Sequence, residues 1–401
     1  MKRNTVTLLA FALLTCFFAK AQDGFKDKLQ IGGFIQTDFE WLQYEGKSNT
    51  GSHQLYNADR DGADKDYFIR YGVRRGGIRL AYSEGITQGV FELDLNDGGI
   101  VPKAAMINVK PADWIEINAG LQTIWFGEET PYSTPRQEVL EHCDLLRNIF
   151  FLDRDLGLRL SLKAPETSRL KGWKLDLGFV SGNNINRVPD GKMNLVGRVK
   201  YSTDINRVYA ALGASFYYGK VNNADSVWLN YINDSLWVHN KEANTKNTRF
   251  YYGLDAQIKF FTAMGCTELK TEWVLGTQPS QLLSLRSPDN NEYDASNAFN
   301  TERMFFGGYV YAFQDLWQSP FRLLLKYTLM NPNVEADKKF YLSSADITYS
   351  TFGIGCQWNI AKGLRFTTMF NMNFNEKNQY IPSYSYDRKD NHLIMRLQYE
   401  F

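Results

Sequence analysis

Residues 67–85 read YFIRYGVRRGGIRLAYSEG. Apolar side chains fall on odd positions at Ile69, Tyr71 and Val73, and on even ones at Ile78, Leu80 and Tyr82. The stretch therefore alternates as a half-buried strand does, with one change of parity. A β-bulge supplies the extra residue that such a change needs, and Gly76-Gly77 offers the permissive backbone for it. The opposite face then carries Arg70, Arg79 and one or both of Arg74 and Arg75. A guanidinium stays charged, and an unpaired buried charge costs several kcal/mol. This face must be wet, or closely paired with the Glu92 and Asp94 of the following VFELDLND.

The same period of two recurs to the end of the chain. Residues 249–260, RFYYGLDAQIKF, place Phe250, Tyr252, Leu254, Ala256, Ile258 and Phe260 on one face. The C-terminal HLIMRLQYEF sets Leu393, Met395, Leu397, Tyr399 and Phe401 against Ile394, Arg396, Gln398 and Glu400. Strands are expected at 29–41, 68–82, 86–96, 103–110, 114–122, 156–163, 172–180 and 193–201, then at 206–219, 249–261, 266–276, 303–314, 320–330, 346–360, 363–375 and 391–401. Their connections alternate in length: short at Ser83–Gly85, Pro111–Asp113, Ser202–Ile205 and Thr262–Gly265, long at Thr123–Asp155, Lys220–Thr248 and Thr277–Glu302. Short turns on one rim, long loops on the other and an even strand count describe a transmembrane β-barrel. The fold class expected is all-β: one antiparallel barrel of about sixteen strands, with short periplasmic turns and long extracellular loops.

Composition agrees. Phe, Trp and Tyr make up 15% of the 401 residues, while mean hydropathy is negative at −0.39. Strands with one apolar and one polar face average out in this way. Lys2 and Arg3 precede the apolar run Val6–Ala19, and Ala19-Lys20-Ala21 is a small-x-small site, so residues 1–21 read as a cleaved export signal. The rest, 22–401, reads as a single domain. Without the signal's Lys2, Arg3 and Lys20, the 45 basic residues no longer outnumber the 44 acidic ones, which excludes the basic excess of a nucleic-acid protein. Cys143, Cys266 and Cys356 are isolated, which argues against a disulfide framework and a CxxC metal site.

With these elements in place, the sequence resembles the phosphate-selective porin O and P family of bacterial outer-membrane porins. The resemblance rests on the signal peptide, IGGFIQTDFE as first strand, RYGVRRGGIRL followed by GVFELDLND, WIEINAGLQTIWFGEE, FFLDRDLGLRLS and the aromatic C-terminus. It is densest over residues 29–163. It implies a sixteen-stranded homotrimer in the outer membrane, a third loop folded inward, and a channel for phosphate-like anions. The chain departs from the family pattern Gly-Gln-Phe-Lys-x-Pro-Phe-Gly at 120–127, with Thr123 in place of the lysine and Trp125 in place of the proline. A modest preference for anions is therefore expected, rather than a tight phosphate site.

Within the third loop, Thr134-Pro135-Arg136-Gln137 has the form of a helix start. Val139, Cys143, Leu146 and Phe150 follow at helical spacing. A helix from about Pro135 to Arg147 is expected inside the barrel, with Arg136, Glu138, Glu141 and Arg147 facing the constriction. The alternative is an extracellular helix with a solvated charged face. Arg70, Arg74, Arg75 and Arg79, with Arg159, Arg198 and Lys200, are expected to line the pore as a cationic track, held and weakened by Glu92 and Asp94. Phe401 is the expected assembly signal.

Nothing in the chain points to catalysis or to a cofactor. His53, His142, His239 and His392 are scattered, and none adjoins a nucleophile motif. The acid-rich Asp59–Asp66 fails the EF-hand pattern at Ala63 and reads as a charged loop, or at most a loose calcium site. The expected partners are outer-membrane lipid and small anionic or polar solutes. Two functions fit: a passive diffusion pore, or a non-conducting barrel used for surface binding or adhesion. Only Asp23–Lys28 separates the signal from the first strand, leaving no room for a plug domain there.

Overall fold

The computed structural model describes residues 25–43, 45, 67–96, 99–150, 153–182, 193–222, 227–232, 234–240, 246–282, 285 and 301–401. The expected export signal, residues 1–21, and the acid-rich stretch Asp59–Asp66 lie outside these. The strands are β1 (Leu29–Gln43), β2 (Tyr67–Glu84), β3 (Thr87–Asn96), β4 (Gly99–Ala112), β5 (Ile115–Thr123) and β6 (Arg154–Lys163). Next come β7 (Trp173–Val180), β8 (Asn194–Ile205), β9 (Val208–Asn222), β10 (Val227–Ile232), β11 (Ser235–Asn240) and β12 (Lys246–Thr262). The chain closes with β13 (Gly265–Ser280), β14 (Thr301–Asp315), β15 (Phe321–Asn331), β16 (Tyr349–Ala361), β17 (Leu364–Asn375) and β18 (His392–Glu400).

Neighbouring strands of the ring pair antiparallel, and β1 closes it on β18 from Phe34 opposite Glu400 to Leu42 opposite His392. β9 pairs directly with β12, so the β10–β11 hairpin is not part of the ring; it joins the start of β14 by a short parallel pairing, Leu229 opposite Thr301 and Asn230 opposite Glu302, and sixteen strands form the barrel. That hairpin was expected as part of a long loop. All sixteen expected strands are present, and the long connections share one rim. Residues 97–98, between β3 and β4, are the short exception on that rim.

The wall is apolar outside and polar inside. Along β7, Trp173, Leu175, Leu177 and Phe179 are exposed on the outer surface, while Asp176 and Val180 are buried within. In water each exposed side chain would forgo about 25 cal/mol per Å² of apolar area. Repeated around a closed ring, this arrangement suits a hydrocarbon surround.

The bulge in β2 falls earlier than expected. Gln36 lies opposite Arg75 and Thr37 opposite Val73, so Arg74 is the extra residue rather than one of Gly76-Gly77. Consecutive arginines can both point inward only where one is bulged, and Arg74 is drawn in by a carboxylate described below. Gly77 serves another purpose: a side chain there would collide with the Phe34 ring.

The third loop, described over residues 124–150 and at Asp153, folds into the lumen. Ile124, Trp125, Phe126, Val139, Leu140, Leu146 and Phe150 pack against inward side chains such as Tyr217, Tyr251, Phe305 and Tyr309. The expected helix is much shorter. A 3-10 turn spans Thr134–Arg136 and an α-helical turn spans Asp144–Ile149, with a run of bends at residues 138–141 between them. Wall side chains claim the carbonyls a longer helix would use: Gln398 donates to Pro135 O (2.7 Å), Arg365 to Gln137 O (3.0 Å) and Arg396 to Leu140 O (2.6 Å).

Candidate functional site

The third loop crosses the barrel and is fastened on opposite walls. Near β8 and β9, Trp125 Nε1 donates to Val196 O (3.2 Å) and Gly127 N to Ser215 Oγ (3.0 Å). On β13, one Glu272 oxygen accepts both the Glu128 and Glu129 backbone N–H groups, at 2.9 and 3.0 Å. Glu129 in turn ties the two limbs of the loop together, accepting from Tyr311 OH at 2.8 Å and from Cys143 N at 3.0 Å. Across the lumen, Glu141 accepts from Arg74 Nε at 3.0 Å and from Arg396 Nη2 at 2.8 Å, and Arg396 also grips Asp38 at 2.7 Å.

Charge holds both ends of this crossing. Burial opposes ionisation of Glu141, but the Arg74 and Arg396 guanidiniums overcome it and hold its carboxyl well below the usual range. Burial also works against Glu128, and Arg198 (2.7 Å) with Lys200 (2.7 Å) lowers its pKa in turn.

The residues singled out in the sequence fall into three groups. Arg74, Arg159, Arg198 and Lys200 face inward and are each paired: Arg159 with Asp176 at 2.7 Å, Arg198 with Glu128 and with Asp255 at 2.9 Å. Arg70 lies opposite Glu40 in the ladder. Among the constriction residues, Glu138 is taken by Lys270 (2.8 Å), Arg147 lies 3.6 Å from Asp144, and Glu141 is part of the crossing network. Among the described residues Arg75 forms no ion pair and one side-chain hydrogen bond, to Thr134 Oγ1 at 3.5 Å, and its Nε has no hydrogen-bond partner. Arg79 lies 3.9 Å from Glu92 and remains half exposed, and Asp94 pairs with Lys103 (3.6 Å) rather than with an arginine. Arg136 is exposed, with no ion pair among the described residues. Phe401 extends the β1–β18 ladder, its N–H donating to Gly33 O at 2.9 Å and its carbonyl accepting from Gly33 N at 3.0 Å.

A cavity lies on either side of the crossing. The one toward the short-turn rim, about 460 Å³, is lined by Arg79, Glu92, Glu116, Arg136, Arg154 and Arg159. The one toward the long-loop rim, about 410 Å³, is lined by Glu141, His142, Arg147, Lys326, Asn371 and His392 among others.

Asp38, Glu272 and Arg396 were not singled out from the sequence as site residues. The signal was parity: Gln36, Asp38 and Glu40 share the inner face of β1, and Arg396 stands on the polar face of the last strand. Reading those faces as facing one another needs the closed ring.

No family model and no curated protein matches the chain. Solved structures do. The outer-membrane channel DcaP of Acinetobacter baumannii is 12% identical over 93% of this chain and 97% of that one, with a TM-score of 0.59. OmpF of Salmonella typhi is 11% identical over 93% and 97%, with a TM-score of 0.56. An anion-selective porin from Comamonas acidovorans is 11% identical over 93% and 99%, with a TM-score of 0.55. What this chain shares with these porins is the fold.

Proposed function

We propose that this protein is an exported outer-membrane porin that forms a water-filled channel for passive diffusion of small solutes, with a modest preference for anions. Residues 1–21 are its cleaved signal and 22–401 its single barrel domain. The observation that supports the reading best is a closed barrel, apolar outside, with charged cavities on both sides of an inward loop. A barrel of this width holds an aqueous channel.

The anion preference is assigned to Arg75, Arg79 and Arg136. Arg74, Arg159, Arg198 and Lys200 are neutralised by carboxylates within the wall or loop, so they position rather than attract. In a narrow, low-dielectric passage a few uncompensated charges dominate the field. The anion selectivity of the Comamonas acidovorans porin accords with this, and the trimer form of Vibrio cholerae OmpT accords with a homotrimer. Thr123, near the guanidinium of Arg154, replaces the family lysine, which weakens any phosphate site.

The fastening of the loop on both walls favours a second reading, a non-conducting barrel used for surface binding. Planar-bilayer recording of the purified protein separates the two. The pore reading expects stable, stepwise single-channel currents, and silent bilayers loaded with folded protein would support the alternative.

A further inference from the structure

The cavity toward the short-turn rim is lined by two opposite charges that have found no partner. Glu400 reaches it from the end of β18 and Arg136 from the third loop, and neither side chain forms an ion pair or hydrogen bond among the described residues. The wall brings them to one region. Gln398 Nε2 donates to Pro135 O at 2.7 Å, beside Arg136, and Glu400 is the next inner-face residue of the same strand, about 7 Å further on. Arg365 also feels Glu400, but its Nη2 already donates to Pro135 O, Gln137 O and Gln398 Oε1.

The floor of this cavity is apolar and open. Phe34 lies opposite Glu400 in the β1–β18 ladder, and its ring covers Gly77, where a Cβ would come within 2.5 Å of it. On β3 and β4, Val90 and Ala104 form an apolar cluster with Ala81, and Met106 packs against it. Phe34, Val90, Ala104 and Met106 all line the cavity, on an inner wall that is ordinarily polar in such barrels. Gly32, one inner-face step from Phe34, also lines it and leaves room. A Cβ there would meet only the Phe401 carbonyl oxygen, at 3.4 Å. Gly32 stands opposite Arg79, which is half exposed and 3.9 Å from Glu92.

We propose that this cavity binds a zwitterionic amino acid with an apolar side chain. Its carboxylate turns toward Arg136 and Arg79, its ammonium toward Glu400, and its side chain lies over Gly32 against Phe34 and Met106. Other charges lining the cavity are paired: Arg159 with Asp176 at 2.7 Å, Arg154 with Asp153 at 3.4 Å and Glu116 with Lys110 at 3.3 Å. A ligand bearing one charge of each sign complements what is left, whereas a simple oxyanion would satisfy Arg136 and be opposed by Glu400. The volume of about 460 Å³ falls within the range of about 300–1,000 Å³ typical of pockets for organic ligands. The inference rests on the porin reading only for the route by which the solute arrives; binding itself requires no conduction.

Calorimetric titration of the detergent-solubilised, heat-modifiable protein tests it with four probes. L-Phenylalanine carries all three features, while 3-phenylpropanoate lacks the ammonium, 2-phenylethylamine the carboxylate and glycine the apolar side chain. Saturable phenylalanine binding is expected, tighter than that of the other three. Glu400→Gln should weaken it at least tenfold and remove its advantage over 3-phenylpropanoate. Arg136→Gln should likewise remove its advantage over 2-phenylethylamine. Gly32→Leu, which fills the floor and keeps both charges, should weaken phenylalanine binding as well. Absent phenylalanine binding, equally tight binding of 3-phenylpropanoate or glycine, or unchanged affinity in folded Glu400→Gln and Arg136→Gln protein would overturn the assignment. Bilayer recording decides the pore separately, since a silent barrel can still bind phenylalanine.

Discussion

Gly127 stands where the Glu272 carboxylate leaves no room for a side chain. Its φ is +65°, a left-handed conformation that favours glycine, and a Cβ there would collide with Glu272 Oε1. The contact fixes where the third loop leaves the wall, because the same carboxylate accepts the next two backbone N–H groups. Gly127→Ala should therefore displace the loop without unfolding the barrel. Single-channel recording is expected to show a larger and noisier conductance, and wild-type currents from folded Gly127→Ala channels would show that this contact does not set the aperture.

On the opposite wall, Arg396 holds two carboxylates that are otherwise buried, Asp38 and Glu141. Removing one partner from such a network strands the remaining charges, a loss of about 3–5 kcal/mol. Arg396→Met should lower the temperature at which the folded, heat-modifiable form is lost. Adding Asp38→Asn should recover part of the loss, since the pair is coupled. Strictly additive losses would mean the two residues act independently.

Acid should release the loop only at low pH. The Glu141 and Glu128 carboxyls are both held below their ordinary range in the folded protein. Groups depressed in this way contribute their full stability above the unfolded value, about 4.3, and lose it as pH falls through the folded one. The Glu141 and Glu128 ion pairs are expected to hold from pH 8 to about 5 and to break only in stronger acid, which conductance recorded across the range would read. A transition between pH 8 and 6 would assign the control of the loop to other groups.

The barrel was legible in the sequence because period-2 alternation is local. Each strand announces its own faces, and the lengths of the connections order the rims. The interior was less legible. Val139, Cys143, Leu146 and Phe150 are all buried, as their spacing suggested. The helix they implied is cut short because Arg365, Arg396 and Gln398, more than 200 residues away along the chain, take its carbonyls. The Arg198–Glu128–Lys200 cluster has the same character. Sequence parity places the two cations inside, but only the path of the loop brings Glu128 to them.

Phe401 completes the ring, its backbone exchanging two hydrogen bonds with Gly33 while its side chain lies exposed beside Tyr399. Deleting Phe401 removes both bonds at the closing seam. The yield of membrane-inserted, heat-modifiable protein should fall severalfold, and assembly at the normal level would show that the terminus plays no part.

On the proposed function, water and ions pass the third loop, and the least compensated arginines bias which ions pass. The reversal potential under a KCl gradient tests it most directly, compared between the wild type and the Arg75→Glu/Arg79→Glu variant. A wild-type potential on the anion side, moving toward cations in the variant, is predicted. An unchanged potential in well-folded variant channels, or no current through the wild type, would contradict the account.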